Sequence, residues 1–113
     1  MIKKIENISH LDKLETLLIN RNNIGSGGPE DWEQLAGTNI GALDLANNRI
    51  DAEDPEKFID VLRQMPNLRV LYLTNNPIIG KIKNYRKYMI AELKSLKYLG
   101  IHFLLHGINL LRW

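Results

Sequence analysis

Leu71 to Ile78 reads L-Y-L-T-N-N-P-I. Leucine, tyrosine and leucine alternate as a pleated strand does, with a period of two, and the alternation then stops at two asparagines and a proline. The chain carries almost the same phrase twice before, as L-L-I-N-R-N-N-I from Leu17 and L-D-L-A-N-N-R-I from Leu43. All three share the form L-x-[LI]-x-x-N-x-I, and their first leucines stand 43 − 17 = 26 and 71 − 43 = 28 residues apart. The phrase is a repeat unit.

Upstream of the first phrase, Ile2, Ile5, Ile8, Leu11, Leu14 and Leu17 recur every three residues. That spacing matches neither a helix at 3.6 nor a strand at 2, so it predicts a tight coil. The period changes to two at Leu17 and Ile19, followed by Asn22 and Ile24. The same change recurs at Leu43, Leu45, Asn48 and Ile50, and at Leu71, Leu73, Asn76 and Ile78. Each coil is therefore expected to hold a strand of about three residues, its leucines in a shared core and its neighbours parallel. Intervals of 26 and 28 residues lie within the roughly 20 to 29 of leucine-rich repeats. The asparagine explains why the strand stops. Turning sharply to the convex side leaves backbone N–H and C=O groups inside the coil without a ladder partner, which is costly. An amide side chain offers both a donor and an acceptor, so Asn22, Asn48 and Asn76 are expected to stack and pair those groups from coil to coil.

The connections between strands read as convex helices. In DAEDPEKFIDVLRQM after Ile50, Pro55 suits a first helical position, acids occupy the first turn, and Phe58, Leu62 and Met65 share a face. GSGGPEDWEQLAG predicts a short helix opened by Pro29 and ended by Gly37, with Trp32 and Leu35 inward. NYRKYMIAELKSLKYL, Asn84 to Leu99, predicts a closing helix with Asn84 as N-cap and Met89, Leu93 and Leu96 on its apolar face. The fold class is thus α/β: a solenoid with short parallel strands on the concave face, helices on the convex face and a C-terminal helical cap. The expected organisation is a single domain over 1–113, with repeats at about 2–24, 25–50 and 51–78, a cap at about 79–100 and an apolar C-terminal segment at 101–113.

The run PNLRVLYLTNNPIIGKIKNYRKYMIAELKSLKYL, Pro66 to Leu99, resembles the last repeat and C-terminal cap of leucine-rich-repeat proteins of the dynein axonemal assembly factor type. The more specific part is Asn76-Pro77 followed by Asn84-Tyr85-Arg86 and leucines at 93, 96 and 99. The repeats before it are similar to the short kind in phosphatase-regulatory and spliceosomal leucine-rich proteins. From about Ile2 to Leu99, the resemblance implies a solenoid that recruits protein partners during cytoplasmic preassembly of axonemal dyneins, in the cytoplasm or at a cilium or flagellum, with no catalytic residue. A spliceosome-like RNA-processing adaptor is the alternative it implies.

Composition is compatible with this and narrows the remaining classes. The 113 residues are 44% hydrophobic and 25% charged, an ordinary balance for one globular domain. A formal charge of +2 is too small to point to nucleic acid. Without cysteine, disulfides and thiolate metal sites are excluded, and an intracellular home is the more natural expectation. Met1 to Lys13 lacks the continuous apolar core of a secretory signal, so the Asn7-Ile8-Ser9 sequon is expected to go unused. The glycines of GSGGPEDW lack a lysine at Walker spacing and make no G-x-G-x-x-G. They read as a repeat connection. His102 and His106 stand four apart but lack a third ligand, Gly107 disfavours a helix there, and His10 stands alone. Glu53, Asp54 and Glu56 read as helix N-terminal charges, and nothing composes a nucleophile, base and oxyanion donor. No enzyme activity, cofactor, metal or membrane partner is expected. Lys81, Lys83, Arg86, Lys87, Lys94 and Lys97 read as cations on the exposed face of the capping helix, not as a nucleic-acid site.

Strand alternation places the candidate partner site. If the flanking leucines point inward, the residues between them face the concave surface: Thr16, Leu18 and Asn20; Ala42, Asp44 and Ala46; Val70, Tyr72 and Thr74. Leu18, Val70 and Tyr72 form an apolar strip beside Asp44, suited to a protein partner. Ile101 to Trp113 holds eight apolar residues in 13, too few for the roughly 20 of a membrane span. This segment is expected to fold over the last coil through Phe103, Leu104 and Leu110. Alternatively, Ile101–Trp113 or the N-terminal edge strand offers a route to a homodimer.

Overall fold

The computed structural model describes residues 1–8 and 11–100, together with the backbone of 102–103. Five short strands lie side by side in chain order: β1 (Thr16–Leu18), β2 (Ala42–Asp44), β3 (Val70–Tyr72), β4 (Tyr98–Leu99) and β5 (His102–Phe103). The first four run parallel in one register, with Leu17, Leu43, Leu71 and Leu99 adjacent in turn. β5 turns back antiparallel to β4.

The three-residue period has a direct cause. Leu11 N–H donates to the Ile8 carbonyl and Leu14 N–H to that of Leu11, each at 2.9 Å, so successive turns close over three residues; Ile8 and Leu14 pack against the core while Leu11 stays exposed. The same bonds link Leu62 to Met65 and Met65 to Leu68 on the way into β3. They recur from Leu93 to Leu96 on the way into β4, which corrects the expected helix over Asn84–Leu99. Helix α2 spans only Tyr85–Glu92, and the next seven residues form the turn and strand of a fourth coil. Asn84 precedes α2 in the left-handed region at φ 53° and makes no side-chain capping bond, so its expected N-cap role is not observed. Lys94 and Lys97 consequently lie beyond the helix.

The other connections follow their local chemistry. Helix α1 runs Glu56–Arg63 behind Pro55, which already has helical φ and ψ, and the Asp54 carboxylate accepts the Glu56 N–H at 3.0 Å. Phe58, Ile59, Val61 and Leu62 are buried. The Gly25–Gly37 connection forms two 3-10 turns, Pro29–Asp31 and Glu33–Leu35, and no α-helix. Trp32 and Leu35 point inward as expected, and Trp32 meets Phe58 edge-on with ring centroids 5.0 Å apart. Leucines 43, 45, 71 and 73 are fully buried. Leu17 and Ile19, at the same positions in the first coil, are only half-buried.

The asparagine stack forms. Asn48 Nδ2 donates to the carbonyls of Ile19 at 3.1 Å and Leu45 at 3.0 Å, while its Oδ1 accepts the Ile24 N–H at 3.1 Å. One coil on, Asn76 Nδ2 donates to Leu45 and Leu73 and its Oδ1 accepts the Ile50 N–H. Asn22 repeats the pattern at the start, with Ile19 as acceptor and the Ile2 N–H as donor. The preceding residue is the hinge: Arg21, Asn47 and Asn75 all lie near φ +55 to +59°, a left-handed conformation that asparagine tolerates well.

Candidate protein-binding face

Parallel register stacks the nine expected site residues in three rows across the concave face. Thr16, Ala42 and Val70 form the first row, and Leu18, Asp44 and Tyr72 the second. Asn20, Ala46 and Thr74 follow just beyond the strands. Alternation is obeyed throughout: Leu18 is 66% exposed and Thr16, Asn20 and Thr74 are exposed, while Ala42, Asp44, Ala46, Val70 and Tyr72 are intermediate. β4 extends the first row by a residue that the sequence reading missed, because register puts Tyr98, 42% exposed, beside Val70. A signal was available. Leu93, Leu96 and Leu99 repeat the spacing of Leu11, Leu14 and Leu17, and 99 − 71 = 28 residues is again one repeat.

Asp44 sits in the middle of this face and is held from two sides. Asn20 Nδ2 donates to its Oδ2 at 2.7 Å, and the Ala46 N–H donates to its Oδ1 at 3.1 Å. The carboxylate is oriented across β1 and β2 with apolar neighbours in the flanking strands, an arrangement able to take a cationic or N–H donor amid hydrophobic contacts.

Other candidate groups have internal partners. The glycine-rich loop encloses an anion of its own: the N–H groups of Gly25 and Gly27 both donate to Asp31 Oδ2 at 2.8 Å, and Asp31 is buried. Gly25 is required there, because its φ is +106° and a Cβ would lie 2.3 Å from the Arg49 carbonyl oxygen. In the basic cluster, Lys81 pairs with Asp51 at 2.9 Å and holds its carboxyl below the ordinary 3.8. Arg86 donates to the Leu99 carbonyl. Lys83, Lys87, Lys94 and Lys97 are exposed. On the convex side Arg63 joins the connections, pairing with Glu56 on α1 and Glu92 at the end of α2, and both carboxylates push its pKa up. Among the described residues, no three histidine or carboxylate groups gather where they could hold a metal, and no helix is long and apolar enough to cross a membrane. The side chains of His10, His102, Phe103, Leu104, His106 and Leu110 lie outside the described residues, as does the expected packing of segment 101–113.

Comparison with known proteins agrees with this geometry. The leucine-rich-repeat protein ODA7 of Chlamydomonas reinhardtii is 51% identical over 57 residues, covering 50% of this chain and 12% of that protein. Human dynein axonemal assembly factor 1 is 47% identical over 57 residues, covering 50% of this chain and 7% of that one. The U2 small nuclear ribonucleoprotein A′ of Arabidopsis thaliana is 43% identical over 98 residues, or 87% of this chain and 37% of that protein. The chain therefore spans a minor part of these relatives' lengths. Among solved structures, the Drosophila melanogaster SNF/U2A′ complex contains a chain matching 91% of this one with a TM-score of 0.67 at 24% identity, covering 56% of that chain. That likeness shows the fold. The leucine-rich-repeat family model matches residues 1–105, and the chain belongs to the leucine-rich-repeat family.

Proposed function

We propose that the chain is a non-catalytic protein-interaction scaffold that works in axonemal dynein assembly, in the cytoplasm or associated with a cilium or flagellum, and engages a protein partner on its concave face. The observation that carries the reading is the strip of Leu18, Val70, Tyr72 and Tyr98 around the oriented Asp44 carboxylate. Solubility alone gives no reason to place two tyrosines, a leucine and a valine on one sheet face, whereas aromatic anchors around a polar contact are what binding surfaces concentrate. Similarity to dynein axonemal assembly factors supports the cellular role. A second reading, an adaptor in RNA processing, is supported by the greater extent of the match to the U2 protein A′, 87% of this chain. In either setting the chain is read as taking protein partners, and nucleic acid is not an expected partner. Such a module can also pair with itself through its N-terminal edge strand. The other route, through Ile101–Trp113, falls outside the described residues.

The test compares the wild-type chain with Tyr72→Ala, Tyr98→Ala and Asp44→Asn, each first shown by circular dichroism to be folded. Affinity capture from extract of ciliated cells, with partners quantified by mass spectrometry, should enrich dynein heavy chains and their chaperones and lose them in the variants. Splicing proteins in their place would favour the second reading. Capture undiminished in all three variants would move the site off the concave face.

A further inference from the structure

Where the strands turn to the convex side, the coils leave an open groove of about 580 Å³ along the asparagine ladder, a size ordinary for a binding site. Its outer row is Arg21, Asn47 and Asn75, one residue from each coil, and Arg49 lies beside them. Arg21 and Arg49 are its charged side chains, and among the described residues no carboxylate lines it. Three of its features are not required by the fold. The left-handed backbone at this row suits Asn47 and Asn75 but costs most other side chains energy, and Arg21 adopts it at φ 55°. Neither guanidinium meets a carboxylate among the described residues. Arg21 is exposed, and Arg49 reaches back toward the first coil, its Nε on Asn23 Oδ1 at 3.4 Å. Finally, Asn75 Nδ2 donates to Asn47 Oδ1 at 2.7 Å. That bond leaves the donor of Asn47 and the acceptor of Asn75 without a partner among the described residues.

We propose that this groove binds an acidic peptide segment of a protein partner, with carboxylates on Arg21 and Arg49 and main chain along Asn47 and Asn75. A guanidinium presents a planar fork of donors that a carboxylate accepts two at a time. The two arginines stand on neighbouring coils, whose strands lie about 4.8 Å apart, so two acidic side chains of one extended segment can reach them together. The unused amide donor and acceptor are the pair that a peptide C=O and N–H complement. A nucleic-acid strand would bring the same negative charge, but no aromatic ring lines the groove to stack its bases. The groove lies past the ends of the strands, beyond the apolar strip around Asp44. The proposal therefore goes beyond the scaffold reading, and its failure would leave that strip untouched.

Fluorescence anisotropy of the full chain with labelled decaglutamate, a glycine–serine peptide of equal length and decauridylate provides the test. Decaglutamate should bind, more weakly as salt is raised, and the neutral peptide should not. Arg21→Asn and Arg49→Gln should each raise the dissociation constant about three- to fivefold, and together about tenfold or more. Arg21→Asn matches position 21 to Asn47 and Asn75, so in urea titration it should be at least as stable as wild type while binding falls. That separates loss of binding from loss of fold. Lys83→Gln with Lys87→Gln removes the same charge from exposed positions outside the groove and should leave affinity unchanged. The proposal is overturned if decaglutamate does not bind, if the arginine variants bind it as wild type does, or if the lysine variant loses as much. Tighter binding of decauridylate, lost in the arginine variants, would overturn it in favour of a phosphate chain.

Discussion

Replacing the ladder asparagines by alanine should cost different amounts at the three positions, and the hydrogen bonds set the order. In Asn48→Ala the buried Ile24 N–H loses its acceptor at 3.1 Å. The carbonyls of Ile19 and Leu45 each lose one donor but keep another, from Asn22 and Asn76 respectively. One orphaned buried donor at about 1–3 kcal/mol, plus the net value of the lost bonds at about 1 kcal/mol, gives roughly 3 kcal/mol. Asn76→Ala orphans the Ile50 N–H and also strips Leu73 of its Asn76 donor, so its loss should equal or exceed that. Asn22 is only half-buried and its partner Ile2 is exposed. Water can replace the amide there, and Asn22→Ala should cost about 1 kcal/mol or less. For a chain of this size 3 kcal/mol corresponds to a fall in Tm of about 12 °C. Urea titration followed by far-UV circular dichroism would measure all three. Equal losses at Asn22 and Asn48, or a loss at Asn48 below that at Asn22, would refute the view that burial of the orphaned N–H sets the cost.

Three other outcomes follow from the same bonds. Asp31→Ala should destabilise the chain by about 2–4 kcal/mol in chemical denaturation, because two N–H groups lose a shared charged acceptor; Asp31→Asn, which keeps an acceptor oxygen, should lose less. Trp32→Ala should cost about 3–5 kcal/mol by opening a cavity against Phe58, while Trp32→Phe should cost much less, since the Trp32 Nε1 is buried without a partner among the described residues. Asp51 has its pKa lowered chiefly by the hydrogen bond from Lys81, so its contribution is present above the unfolded value of 3.8 and is lost as pH falls through the lower folded value. Both side chains are largely exposed, so the effect should stay below about 1 kcal/mol. Comparing wild type with Lys81→Met by denaturation between neutral pH and pH 3 should show the difference between them shrink toward the acid end.

The sequence by itself determined the repeat, the strand positions and the ladder. These are legible because each rests on local chemistry written at a fixed interval: an alternation of two for a half-buried strand, a period of three for successive tight turns, and an asparagine where inward backbone groups need both a donor and an acceptor. It also placed the nine concave residues, since alternation leaves them one direction to face. The structure decided where local propensity yields to stacking. Residues 93–99 can continue the helical face of Met89, and read alone they do so. In the fold a helix carried that far would leave the β3 edge bare, whereas ending it at Glu92 lets Tyr98 and Leu99 pair with Val70 and Leu71, and Tyr98 joins the candidate site as a result. The glycine-rich loop was read correctly as a connection, but only three dimensions show Asp31 inside it, because nothing in the spacing says which carboxylate turns inward. The half-exposure of Leu17 and Ile19 is likewise tertiary. They hold the same repeat positions as Leu43 and Leu45, and what differs is how much of the described chain packs against them.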